Sequence, residues 1–171
     1  MGFFKKLFSN SKDNQNENKI DIDTLLLSSD PNKSIIELDN YISKLCSWGA
    51  ALEQLTEPQK NFYYNQEFER EINNGGLSQY FFNSSGNFAH QAIKSLQVIG
   101  ANKTADILQL AIDQFPDSIV PGDRNERQQV LEQIEKKATE VWEKLDQQLY
   151  ASKDNLTFLN LAYVKQQRNS F

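Results

Sequence analysis

The stretch Glu71-Ile-Asn-Asn-Gly-Gly-Leu-Ser-Gln-Tyr-Phe-Phe-Asn-Ser-Ser-Gly86 decides how the chain folds, because it stops one helix and starts another. Upstream of it Tyr64, Phe68 and Ile72 recur every four residues, so they line one face of an incoming helix whose polar exit is Asn73-Asn74. Gly75 and Gly76 are expected to supply the positive φ that a helix C-terminus favours. Leu77, Tyr80 and Phe81 then fit one side of a short second helix, which Ser84-Ser85-Gly86 should close with the same left-handed geometry. Gln79 and Asn83 stand as polar groups among aromatics and, if buried, require backbone partners. Two readings follow for Asn74, Gln79 and Asn83: they tie down exposed helix ends, or they form a small polar pocket for a ligand.

Working outward, every flanking segment reads as helix. Thr56 and Gln59 have capping-box spacing, with Pro58 tolerated in the first turn, so the incoming helix begins there. Ser34 and Glu37 repeat that spacing ahead of a stripe of Ile35, Leu38, Ile42, Leu45, Gly49 and Leu52, and Asp21 to Ser28 form a short helix before it. Downstream, Phe88, Ala89, Ala92, Ile93, Leu96 and Ile99 share a face that ends at Gly100. Asn102 is the expected cap of a helix that turns Ala105, Leu108, Ala111, Ile112 and Phe115 inward and Asp106 and Asp113 outward. Asp123 and Glu126 open a long helix that buries Val130, Leu131, Ile134, Ala138, Val141, Trp142, Leu145 and Leu149. A last helix after Asp154-Asn155 faces Leu156, Leu159, Ala162 and Tyr163 inward. No strand-like alternation of useful length occurs. The expected fold class is all-α: a single compact bundle of six to eight helices over residues 20–171, preceded by a disordered polar tail at residues 1–19.

Totals narrow the function. A chain of 171 residues can bury most of its unfolded surface without staples, and its one cysteine, Cys46, leaves no internal disulfide. The opening Gly-Phe-Phe-Lys-Lys-Leu-Phe is too short for a secretory apolar region, and no run is long enough for a membrane span, so a cytoplasmic location is expected. The net charge of −5 understates the acidity of the folded part, because Lys5, Lys6, Lys12 and Lys19 are opposed in the tail only by Asp13 and Glu17. That balance disfavours direct nucleic-acid binding, which needs a basic patch.

The usual catalytic and metal signatures are missing. A single histidine, His90, falls opposite the apolar face of its helix and reads as a solvated residue. No Cys/His cluster, phosphate-cradling loop or nucleophilic triad signature is present, so no catalytic, cofactor-binding or metal-binding residue is assigned and no cofactor is expected. Two features of the long helix remain. Arg127 lies on the apolar side, one turn before Val130 and Leu131, and must find a carboxylate or carbonyls. On the opposite side Glu132, Glu135, Glu143 and Asp146 form an acidic stripe, its members about 4.5 Å apart along the axis within each pair. That spacing is of the order of the roughly 3.4 Å phosphate repeat of a DNA strand. The stripe is either a solvated face or a surface for a basic partner.

The residues Asn74-Gly-Gly-Leu-Ser-Gln-Tyr-Phe-Phe-Asn-Ser-Ser-Gly86, the segment Ala92 to Ala101, and Phe115-Pro with Pro121-Gly-Asp-Arg-Asn-Glu-Arg127 resemble a known family. It is the all-helical bacterial family named after the Neisseria DNA-mimic protein, and the resemblance covers approximately Leu52 to Phe171. It implies that Asn74, Gly75, Gly76, Gln79, Tyr80, Phe81, Asn83, Gly86 and Arg127 belong to the family motif. It also implies a non-enzymatic protein that presents acidic side chains to a DNA-binding protein and forms a homodimer. Asp106, Asp113, Glu132, Glu135, Glu143 and Asp146 are the candidate partner-binding residues. A ligand-binding or enzymatic pocket at Asn74, Gln79, Tyr80 and Asn83, and an immunity or antitoxin-like role, stand as alternatives.

Overall fold

The computed structural model describes residues 20–171, so the tail expected at residues 1–19 lies outside the described residues. Seven α-helices follow one another: α1 (Ile22–Leu26), α2 (Pro31–Leu45), α3 (Glu57–Phe82), α4 (Ala89–Val98), α5 (Asn102–Ile112), α6 (Arg124–Tyr150) and α7 (Leu156–Gln166). Short 3-10 turns join several of them, and no strand occurs among the described residues. The fold is all-α, as the periodicity predicts.

Helix α3 is the axis of the bundle, packed by α2, α4, α6 and α7. Its start follows the reading in full: Thr56 Oγ1 accepts from Gln59 N at 3.3 Å, and Gln59 Oε1 accepts from Thr56 N at 2.9 Å. Two apolar clusters flank it. The larger joins Phe68, Ile72, Leu77, Tyr80 and Phe81 of α3 to α4, α5, α6 and Tyr163, while the smaller joins Phe62 and Tyr63 to α2 and Val164. Each fully buried Phe or Leu in them contributes about 1.5–3 kcal/mol. In the larger cluster Phe81 sits at the centre, its ring 4.9 Å from Phe115 and 5.0 Å from Trp142.

Between the clusters α7 has no single inward face. Tyr163 turns to one cluster and Val164 to the other, and the fully buried Asn160 accepts from Asn65 Nδ2 at 3.1 Å. Leu156, Leu159 and Ala162, the expected inward residues, are only half-buried.

Several helix ends depart from expectation for local reasons. Helix α2 starts at Pro31 rather than at Ser34, because Asp30 caps it by accepting from Lys33 N at 3.0 Å and Pro31 is preset for the first turn. Ser34 Oγ instead donates to the carbonyl of Leu25 at 2.8 Å, fastening α1 to α2. The expected stripe through Gly49 and Leu52 is cut at Leu45, where Ser47, Trp48 and Gly49 take positive φ. Asn102 does not cap α5; Asp154, from the turn before α7, accepts from Thr104 N at 2.9 Å and does that work across the bundle. Gly100 carries the left-handed φ of +85° expected after α4.

Candidate functional site

The central motif is a kink inside α3. Gly76 has φ +73° and ψ −164°, a backbone region that L side chains rarely occupy, whereas Gly75 is extended at φ −171°. The expected positive φ therefore holds at Gly76 alone. Beyond the kink the helix begins again, and its first amide, Leu77 N, donates to Asp146 Oδ1 of α6 at 2.9 Å. A Cβ at Gly76 would run into that same carboxylate. Burial pushes the Asp146 carboxyl above its usual range, with the Leu77 amide pulling partly the other way. Asp146, read in the sequence as part of the acidic stripe, is thus half-buried and spent on capping α3.

The polar residues of the motif find carboxylates on the preceding turns rather than the backbone groups anticipated. Gln79 Nε2 and Asn83 Nδ2 donate to Glu71 Oε2 at 2.7 and 2.9 Å. Ser85 Oγ lies within hydrogen-bond distance of both Glu67 Oε2, at 2.8 Å, and Glu71 Oε1, at 3.2 Å. Arg70 extends the network by donating to Glu67 at 2.6 Å and to Asp39 of α2 at 2.8 Å. Burial raises the Asp39 carboxyl despite the opposing pull of that guanidinium. Glu67, Arg70 and Glu71 were not singled out by motif reading, although their one-turn spacing on a single helix was visible. Asn74 is exposed, and Tyr80 is buried with its hydroxyl unpartnered and its ring 5.2 Å from Phe68.

Arg127 is completely buried and meets carbonyls, one of the two outcomes its position demanded. Its Nε donates to the Phe81 carbonyl, Nη1 to that of Pro121, and Nη2 to that of Asn83, each at 2.7 Å, with Asn87 Oδ1 a further acceptor of Nη2 at 2.8 Å. No described residue forms an ion pair with it, and burial lowers its basicity. The guanidinium thus gathers the end of α3, the Ser84–Phe88 turn and the Pro121 loop onto α6. Gly86 explains itself here. It lacks the left-handed φ expected of it, but a Cβ there would sit 2.8 Å from Arg127 Nε and 2.9 Å from the Tyr80 carbonyl.

Glu132, Glu135 and Glu143 are exposed along α6, and Asp106 on α5 and Asp113 just after it are exposed. Asp113 accepts from Gln109 Nε2 at 2.8 Å and Ser118 Oγ at 2.9 Å. None of the five takes part in an ion pair among the described residues. His90 is exposed, as expected, but it is not simply solvated: its Nε2 accepts from Val120 N at 3.2 Å and so ties α4 to the loop before α6.

Beside the stripe runs a groove of about 460 Å³ between the second half of α3 and α6, walled by Gln79, Phe82, Leu131 and Trp142 with Glu132 and Glu135 on its rim. Of the four polar motif residues proposed for a ligand pocket, only Gln79 borders it. Among the described residues no cluster of three His, Cys, Asp or Glu side chains could hold a metal ion, and no helix is long and apolar enough to cross a membrane.

The chain is thus an all-α bundle organised on a kinked helix held by a carbonyl-bound arginine, with carboxylates exposed on its longest helix. The chain belongs to the family described as DMP19-like protein, whose model matches residues 53–167. No curated protein and no solved structure matches it.

Proposed function

We propose that the chain is a non-enzymatic binding protein of the DNA-mimic type, which engages a basic, DNA-binding protein through the carboxylates of α6 and α5. The observation that carries this reading is that Glu132, Glu135 and Glu143 stand exposed on one helix with no ion-pair partner among the described residues. From Glu132 to Glu143 they span about 16.5 Å at 1.5 Å per residue. Carboxylates outside ion pairs at that spacing can replace DNA phosphates for a partner whose own lysines and arginines normally face them. Asp106 and Asp113 widen the negative surface. Family membership supports the same reading. Asp146 leaves the proposed surface, because its carboxylate caps Leu77.

Immobilised protein is exposed to a lysate at low and at high salt, alongside the variant Glu132→Lys/Glu135→Lys/Glu143→Lys. The expected outcome is retention of a basic DNA-binding protein that is released as salt rises and is not captured by the variant. Equal capture by the variant would sink the proposal.

A further inference from the structure

We propose that the groove between α3 and α6 is a docking site for the chain's own opening segment, Gly2-Phe-Phe-Lys-Lys-Leu-Phe8, which covers part of the acidic surface in the absence of a partner. The groove combines two properties that seldom occur side by side on a solvated helix. Phe82 and Leu131 leave apolar surface open beside Trp142, with Phe82 53% exposed, and Glu132 and Glu135 stand on the rim. Its volume of about 460 Å³ falls within the roughly 300–1,000 Å³ of sites that enclose a ligand-sized group. An occupant must therefore bring apolar side chains and positive charge together.

Residues 2–8 have that composition. Phe3, Phe4, Leu7 and Phe8 supply four apolar side chains, with Lys5 and Lys6 between them in sequence. Nothing else in the tail is apolar between Phe8 and residue 20, so these four are its only anchor. The lysines are directed to the Glu132/Glu135 end, because Arg124 occupies the other: its guanidinium lies 5.5 Å from the Phe82 ring centroid and its Nε donates to the Phe82 carbonyl. Eleven residues separate Phe8 from Ile20 and span up to about 36 Å. A domain of this size has a radius of gyration of about 15 Å.

Docking does not depend on the partner. Its consequence does: a seated segment competes for Glu132 and Glu135, so partner capture becomes stronger when Lys5 and Lys6 are reversed.

The test places a photo-reactive side chain in the purified full chain, Phe4→p-benzoylphenylalanine, and maps the crosslinks made on irradiation. Intramolecular crosslinks concentrated in Ser78–Phe82 and 128–139 are the expected result. Their yield falls about fivefold when Lys5→Glu/Lys6→Glu or Glu132→Lys/Glu135→Lys is combined with the probe. Crosslinks scattered over the surface, crosslinks to the α2 side, covalent dimers on a denaturing gel, or yields unmoved by either charge reversal would each overturn the proposal. Partner capture is measured separately, so a failed crosslink leaves the acidic-surface reading standing and the converse also holds.

Discussion

At Arg127 a charged side chain takes the place usually given to a core leucine, and four acceptors converge on it within 2.8 Å. With no carboxylate to neutralise it, the guanidinium is held by carbonyl dipoles alone. The Asn83 carbonyl also accepts from Gly86 N at 3.2 Å, but the other acceptors lose this donor if the guanidinium is removed, and a buried unsatisfied acceptor costs about 1–3 kcal/mol. Arg127→Ala is therefore expected to destabilise the fold by at least about 3 kcal/mol, read as the shift in a denaturant midpoint. Arg127→Lys should recover little of this, since an ammonium lacks the planar fork that reaches the end of α3, the Pro121 loop and Asn87 at once. A Lys variant as stable as the parent would show that charge, not geometry, holds the knot.

The next level up is the broken helix. Helix α3 changes direction at Gly76, and the carboxylate that restarts it comes from α6, sixty-nine positions along the chain. Gly76→Ala would place a methyl group in a glycine-only region and against Asp146, so a loss of about 1–3 kcal/mol is expected in equilibrium unfolding. The cap also has a pH signature. Burial raises the Asp146 carboxyl, so the folded protein binds this proton more readily than the unfolded chain. The contribution of this group to stability is present at low pH and is lost as pH rises from the ordinary aspartate range through the raised folded value. Asp146→Asn keeps an acceptor for Leu77 N–H and removes the titration. Wild type should accordingly lose stability relative to Asp146→Asn as pH rises above the ordinary aspartate value of about 3.9, whereas Asp39 and Glu69, also raised by burial, titrate in both proteins and cancel.

Across the molecule, stability and the proposed binding surface are separable. The apolar clusters and the Arg127 knot lie on the inner side of α6, and the exposed carboxylates lie on the outer side. Reversing Glu132, Glu135 and Glu143 should change stability by no more than about 0.5 kcal/mol per site, because none is paired among the described residues. An unchanged helical signal and thermal midpoint in the variant that loses capture would separate the two roles. A collapse of the fold would show that the stripe is structural.

The division between what the residues announce and what packing decides runs along the same scales. Periodicity alone identified the helices and the faces of α3, α4, α5 and α6, because burying an apolar stripe is a local demand on spacing. It placed Arg127 inward and offered carbonyls as its partners. Helix ends were less legible: Ser34 and Asn102 look like caps, but Asp30 precedes one with a better geometry and Asp154 reaches the other through space. Gly86 and Asp146 could not be read from the chain at all. The glycine is required by the passage of Arg127 across the Ser84–Phe88 turn, and the aspartate leaves the acidic stripe to cap a helix distant in sequence. Local spacing therefore determined the all-helical class, the kink and the acidic face. Only the tertiary structure decided which carboxylates remain unpaired at the surface, because an exposed and a capping carboxylate differ in what lies opposite them, not in where they fall on a helix.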